Sequence, residues 1–360
     1  MTYRHWLKKS AWRFYCLALI MLSLLYILAI AVLQNNIART KDAVHHYVNR
    51  SMSVEEFMDL VNSTYGTFRI HERVELEDGS QVIIGDILLN ASNPHYKDSC
   101  FRVKAMRIIG ALEVEGGVHA VFRLKLPKEL SKNTTDTSKW EVDDSYIEPN
   151  SYFHVCAETI FYSDAVELSR DTKASVLSLG LGGGLVDSFL HHHFPKLNIT
   201  VIEISSRMAY VASKWFGLKL DSHHSLVIAD GVSFIEEEIK RGRTYDVLFL
   251  DACYSDSRYK ILCPTDAFLA KKVIHSMSRL MSYDGVLVIN AAPGSMSMNE
   301  ERKVLTELFS EFFRYCNTRN ASGINEVFYC MNRAPDIGKH VNLFEYLGFL
   351  TPARLSSPLT

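Results

Sequence analysis

Beyond about residue 172 the chain alternates two rhythms. Apolar runs of five or six residues are separated by longer stretches whose apolar positions recur at helical spacing. "SVLSLG" reads as a buried strand, and "GGLVDSFLHHHFP" as a helix stopped by Pro195. "ITVIEI" is the next strand, followed by the Ser-capped, Gly-terminated helix "SSRMAYVASKWFG". "SLVIA" and "DGVSFIEEEIKRG", then "YDVLFLDA" and "PTDAFLAKKVIHSMSRLM", then "GVLVINA" and "NEERKVLTELFSEFF" repeat the pattern, and a hairpin around "NTRNASGINEVFY" closes it. Strands alternating with helices predict an α/β fold, a mainly parallel sheet covered by helices on both faces, with the hairpin as an antiparallel edge.

Residues 51–165 follow another pattern. "TFRIHERVEL", "SQVIIGDILL", "FRVKAMRIIGALEV" and "VHAVFRLKLP" are rich in β-branched residues and broken by Asp78-Gly79 and Gly116-Gly117. They predict a small β-rich domain ahead of the α/β domain at 170–335, with a tail at 336–360.

The N-terminus is different again. Residues 14–33, "FYCLALIMLSLLYILAIAVL", carry no charge and have the length needed to cross a bilayer. Arg4, Lys8, Lys9 and Arg13 in the tail 1–13 precede them, which puts that tail in the cytosol and the body across the membrane. The expectation is a type II signal anchor, with the lipid bilayer as partner, a polar stalk at 34–50, and a luminal or extracellular body. A cleaved leader and a secreted body are the rival, since "AIA" at 29–31 has the form of a cleavage site; a buried core helix is a third reading.

Composition changes this picture little. With 48% hydrophobic and 22% charged residues the chain is an ordinary globular one, and a net charge of −2 gives no electrostatic reason for a nucleic-acid partner. Six Asn-x-Ser/Thr sites (Asn49, Asn62, Asn90, Asn133, Asn198, Asn320) exceed the roughly two that chance would give, in keeping with a luminal glycoprotein. Apart from Cys16 there are six cysteines. Cys316 and Cys330 flank the terminal hairpin and are placed either to pair across it or to remain buried thiols. None has metal-ligand spacing, and His191, His192 and His193 are adjacent on a helix rather than four apart, so no metal is expected. His223 and His224 read as surface.

Ligands of open parallel sheets bind at the carboxyl ends of the strands. Four such ends carry suggestive residues. The first is a glycine turn, Gly180, Gly182, Gly183 and Gly184, where backbone N–H groups can approach a ligand. Leu185 stands where a dinucleotide fingerprint has Gly or Ala. The second is Glu203, nineteen residues after Gly184, suited to ribose hydroxyls or to the start of a helix. The third is "IADG", with Asp230 as acceptor for an adenine amino group or as a helix cap, and Gly231 as space for the ring. The fourth is Asp251.

Taken with "HFP", "WFG", "YDVLFLD", "CP" and "INEVFYC", these residues resemble the spermidine-synthase-like branch of the seven-stranded S-adenosylmethionine-dependent methyltransferases, and within it the C-terminal domain of the elongation factor 1-alpha lysine and N-terminal methyltransferases. The resemblance covers nearly half the chain. It implies a seven-stranded Rossmann-like sheet and S-adenosylmethionine as cofactor, bound by Gly180, Gly182, Gly183, Gly184, Glu203, Ile204, Asp230, Gly231 and Asp251. It also implies that Asp251 borders the acceptor and is the catalytic residue, orienting an amine or helping to remove its proton.

Aminopropyltransferases of the same branch carry an acid inside the glycine turn, where this chain has Gly183, and a second acid after the fourth strand, where it has Tyr254. Methyl transfer to an unknown acceptor, with protein amines among the candidates, is thus favoured over aminopropyl transfer. A catalytically inert binding protein of the same fold is the reading from another class, and a homodimer is an open expectation. The resemblance implies a cytosolic substrate, whereas the anchor and the sequons imply a luminal body, and the topology is given precedence.

Overall fold

The computed structural model describes residues 34, 52–66, 68–89, 104–111, 118–254, 258–335 and 341–348. The chain divides into two compact units, residues 1–53 with 129–131, and residues 54–128 with 132–360. The second holds everything that follows.

Its centre is a sheet of β5 (Ser175–Leu179), β6 (Asn198–Glu203), β7 (His224–Ile228), β8 (Tyr245–Leu250), β10 (Met281–Pro293), β11 (Tyr315–Asn320) and β12 (Glu326–Met331), in the order β11-β12-β10-β8-β5-β6-β7. The pairings from β7 through β6, β5 and β8 to β10 are parallel. β12 and β11 are antiparallel, as the terminal hairpin predicted. One short strand was not anticipated: β9 (Ile261–Cys263) adds to the far end of β10. Its three residues are too few to leave a period in the sequence.

The apolar runs are continuous because both faces of the sheet are covered. Leu177, Leu179, Leu248, Leu250, Leu287 and Ile289 pack with Ile235, Ile274 and Met277, which come from α5 (Gly231–Lys240) and α7 (Lys271–Leu280). α3 (Leu185–His193), α4 (Ser206–Trp215), the short α6 (Asp266–Leu269), α8 (Met298–Phe309) and α9 (Leu343–Tyr346) complete the helices after β5.

Ahead of β5, strands β1 (Phe68–Glu75), β2 (Gln81–Leu89), β3 (Lys104–Ala111) and β4 (Val118–Arg123) form an antiparallel sheet of their own. A free-standing small β-rich domain is not confirmed, because these strands share one compact unit with the large sheet. The region, read from sequence as mostly short strands, also holds two helices. α1 (Val54–Tyr65) buries Phe57, Met58 and Val61, a helical spacing. α2 (Tyr152–Tyr162) starts at Ser151, whose hydroxyl accepts from His154 N–H, and it buries Val155, Ile160 and Phe161.

Disulfides join Cys316 to Cys330, directly opposite each other on β11 and β12, and Cys253 to Cys263. Cys156 is a buried free thiol. His224 corrects a sequence reading: it is fully buried on edge strand β7, not at the surface. The segment expected to span a membrane, 14–33, lies outside the described residues, as does the stalk apart from residue 34. Among the described residues no helix is long and apolar enough to cross a membrane.

Candidate functional site

Parallel β5, β6, β7 and β8 bring their carboxyl ends to one edge of the sheet, where a cavity of about 720 Å³ opens. That is ample for a nucleotide-sized ligand. Gly180, Gly182, Gly183, Glu203, Ile204, Asp230, Gly231 and Asp251 all line it. Gly184 is not at the wall; it caps α3 at a φ of 75°.

The glycines of the turn have different physical reasons. A Cβ on Gly180, whose φ is +100°, would come to 2.4 Å from the backbone oxygen of Asp251. Glycine at 180 therefore lets the chain after β5 pass against the chain after β8, which Asp251 N–H also secures by donating to Leu179 O at 2.9 Å. Gly182, at a φ of +51°, has nothing within 4 Å of the corresponding position, so its backbone is open to the cavity. Gly183 faces the small sheet: a Cβ there would meet Phe122 at 2.6 Å and Ala120 at 3.1 Å. Strand β4 thus fills the position where aminopropyltransferases carry their acid.

Glu203 is built into this turn. Its carboxylate accepts from Leu181 N–H (2.9 Å) and Ser205 N–H (2.8 Å). Burial raises its pKa, and these backbone donors oppose the shift. The Gly182 and Ile204 N–H groups also act on it, so the carboxylate ties the glycine turn to the end of β6. Asp230 caps α5 by accepting from Ser233 N–H (2.8 Å) and still reaches the cavity wall. The space expected at Gly231 belongs first to the protein: a Cβ there would come to 2.9 Å from the Phe268 ring.

Asp251 stands at the end of β8, half-buried, with Tyr152 and Phe153 of α2 also on the cavity wall. Burial pushes its carboxyl up to about 6, and Asn290 Nδ2, donating to Oδ1 at 2.7 Å, restrains the rise. Asn325 Nδ2 in turn donates to Asn290 Oδ1 at 2.8 Å. Asn325, Asn290 and Asp251 form a chain of fixed amide and carboxyl dipoles. The Cys253 sulfur packs 3.5 Å from the same Asp251 oxygen, so the disulfide to Cys263 walls the site. Tyr152 is held protonated by burial and by the charge of Asp251.

Five wall residues escaped sequence reasoning. Asn290 had a signal, a single amide breaking the apolar run "GVLVINA" in the strand beside β8. Asp187 had a weaker one, an acid on the inward face of α3. Asn325 and Tyr152 had none, because their elements reach the site only through tertiary packing. Glu77 is the fifth: from the β1–β2 turn it accepts from Ser205 and Ser206 hydroxyls and closes the rim. Those two hydroxyl bonds hold its carboxyl down at about 2.

No protein-family model matches the chain. Over 184 residues it is 32% identical to an eEF1A lysine and N-terminal methyltransferase homolog of Drosophila melanogaster, a match covering 49% of this chain and 27% of that protein. Over 168 residues it is 32% identical to the eEF1A lysine and N-terminal methyltransferase of Bos taurus, covering 46% of this chain and 24% of that one. The human methyltransferase-like protein 13, solved in complex with SAH, superposes with a TM-score of 0.46 at 24% identity, over 57% of this chain and 89% of that one. The shared stretch amounts to about a quarter of the length of these curated relatives. The relatives bear out the resemblance to spermidine-synthase-like class I methyltransferases.

They also correct the expected location. A type II protein with a luminal body is not supported: the relatives are named for eEF1A, the factor for which the resemblance implied a cytosolic substrate. The lipid bilayer is likewise unsupported as a partner, and so is a homodimer.

Proposed function

We propose, with that kinship as premise, that the chain is an S-adenosylmethionine-dependent methyltransferase acting on a protein amine. The observation that carries the reading is the convergence of an open glycine backbone at 182, Glu203, Asp230 and half-buried Asp251 on one cavity, in the order of the strands.

The residues fit the cofactor. The open space beside Gly182 leaves room for the amino-acid end, and Glu203, on the wall at the end of β6, suits a ribose diol. Asp230 stands at the next strand end for a base amino group. When bound, the cofactor supplies an electrophilic methyl group. The chain's own part is alignment, exclusion of water and control of one proton.

An ammonium cannot attack, since its lone pair is taken up by a proton. Asp251, raised to about 6, is largely ionised at neutral pH yet basic enough to take that proton or to orient the free amine. Asn290 fixes which carboxylate oxygen faces the cavity. Aminopropyl transfer is disfavoured on steric grounds, because Phe122 and Ala120 leave no room for an acid at Gly183.

The test is transfer of a labelled methyl group from S-adenosylmethionine to protein in a cell extract. Wild type is expected to label a discrete band. Asp251→Asn is expected to label nothing while binding S-adenosylhomocysteine within a few-fold of wild type. Unchanged labelling by the variant sinks the assignment of Asp251.

A further inference from the structure

The methyltransferase reading uses one acid at the transfer end of the cavity. The structure holds a second. Asp187, in the first turn of α3, is 2% exposed and lines the same cavity, four residues past Gly183. Its Oδ1 is buried and has no hydrogen-bond partner among the described residues. The Ser178 hydroxyl supports the carboxyl, and Asp251 is near enough to act on it as a like charge.

A buried carboxyl oxygen without a donor is costly, and a second acid beside it adds to the cost. The described residues supply no cation to offset either. Burial, the Ser178 hydroxyl and the Asp251 charge act on the carboxyl, and none of them is a cation. A metal ion does not fit either, since among the described residues no three His, Cys, Asp or Glu side chains converge to hold one. A sulfonium carries positive charge but has no hydrogen to donate. The unmet acceptor calls for an N–H donor with positive charge.

We propose that Asp187 is the counter-charge for a primary ammonium group bound in this cavity, its Oδ1 accepting the N–H that no described residue provides. Two ammonium groups come within the chemistry of the site: the one at the amino-acid end of the cofactor, and the one on the acceptor before it loses its proton. The inference rests on the methyltransferase reading. It assigns Asp187 as a binding residue, with the acid displaced one helical turn from the position in the glycine turn that Phe122 and Ala120 occlude.

Calorimetric titration of wild type and Asp187→Asn with S-adenosylhomocysteine and its deaminated analogue tests this, followed by ligand-detected NMR of butylammonium on the S-adenosylhomocysteine complexes. If the cofactor's ammonium is the partner, the variant binds S-adenosylhomocysteine about tenfold or more weakly, while the deaminated analogue binds both proteins alike. If the acceptor's ammonium is the partner, S-adenosylhomocysteine binds both alike and butylammonium is lost from the variant only. Indifference of the variant to both ligands overturns the inference, and the methyltransferase reading survives because wild type still binds. Failure of wild type to bind S-adenosylhomocysteine overturns both. Asp187→Ser is the second variant, should the Asn protein not fold.

Discussion

Removing the charge of Asp187 should stabilise the ligand-free protein, and should do so in a pH-dependent way. Burial moves this carboxyl from its ordinary 3.8 to about 7. A carboxyl with a raised folded pKa favours folding when protonated. Its contribution is complete below the unfolded value of 3.8 and is lost as pH rises to the folded value near 7. The full displacement corresponds to about 4 kcal/mol above pH 7. About 3 kcal/mol of that develops between pH 5 and pH 8. Asp187→Asn keeps the shape and cannot titrate, so its unfolding free energy relative to wild type should climb by about that amount over the interval, then level off above pH 8. An unpaired amide costs about 1–3 kcal/mol of its own, which lowers the whole curve without changing its slope. Urea unfolding at pH 5, 6, 7 and 8 measures the difference. A flat difference, or one that falls as pH rises, refutes the claim that an unneutralised carboxyl is buried at this point.

Other consequences concern the frame of the site. Gly183→Ala should destabilise by about 1–3 kcal/mol, as an overpacked contact with the Phe122 ring does, and Phe122→Leu should restore part of that loss in a double-mutant cycle. Gly180→Ala meets backbone rather than a side chain, at 2.4 Å, so it should cost more and resist rescue. Asn290→Leu removes the donor that restrains Asp251, so the acid limb of the rate–pH profile should move to higher pH; an unmoved limb refutes Asp251 as the titrating group. Replacing both Cys253 and Cys263 by Ser opens a ten-residue clip on the acceptor wall; about 2–3 kcal/mol should be lost in chemical unfolding, and the methyl-acceptor KM should rise more than cofactor affinity falls.

The sequence was most legible where local rules and the fold agree. The apolar runs of β5, β6, β8 and the inner part of β10 are buried, so hydrophobicity alone marks them, whereas β7, an edge strand with Val227 and Ile228 exposed, is marked by its place in the alternation. Parallel order then brings Gly180, Glu203, Asp230 and Asp251 to one edge, which is why their succession along the chain foretold a shared cavity. Legibility failed where residues act through packing. Gly183 reads as a ligand-contacting glycine, yet Phe122 from another sheet needs the space. Asn325 reads as a turn residue, yet it braces Asn290. His224 was read as surface beside His223, but edge strand β7 turns it inward. Helix α2 was missed inside a region of strands, because Tyr152–Tyr162 is apolar nearly all round and shows no clear stripe.

The central claim is that this cavity receives S-adenosylmethionine. Calorimetric titration of the wild-type protein with S-adenosylhomocysteine tests it most directly, since the ligand keeps the adenosine and amino-acid ends and needs no acceptor. One saturable site per chain is the predicted result, weakened about tenfold or more by Glu203→Ala through loss of the ribose acceptor. Absence of saturable heat up to millimolar ligand, on protein shown to be folded by its unfolding transition, would contradict the account.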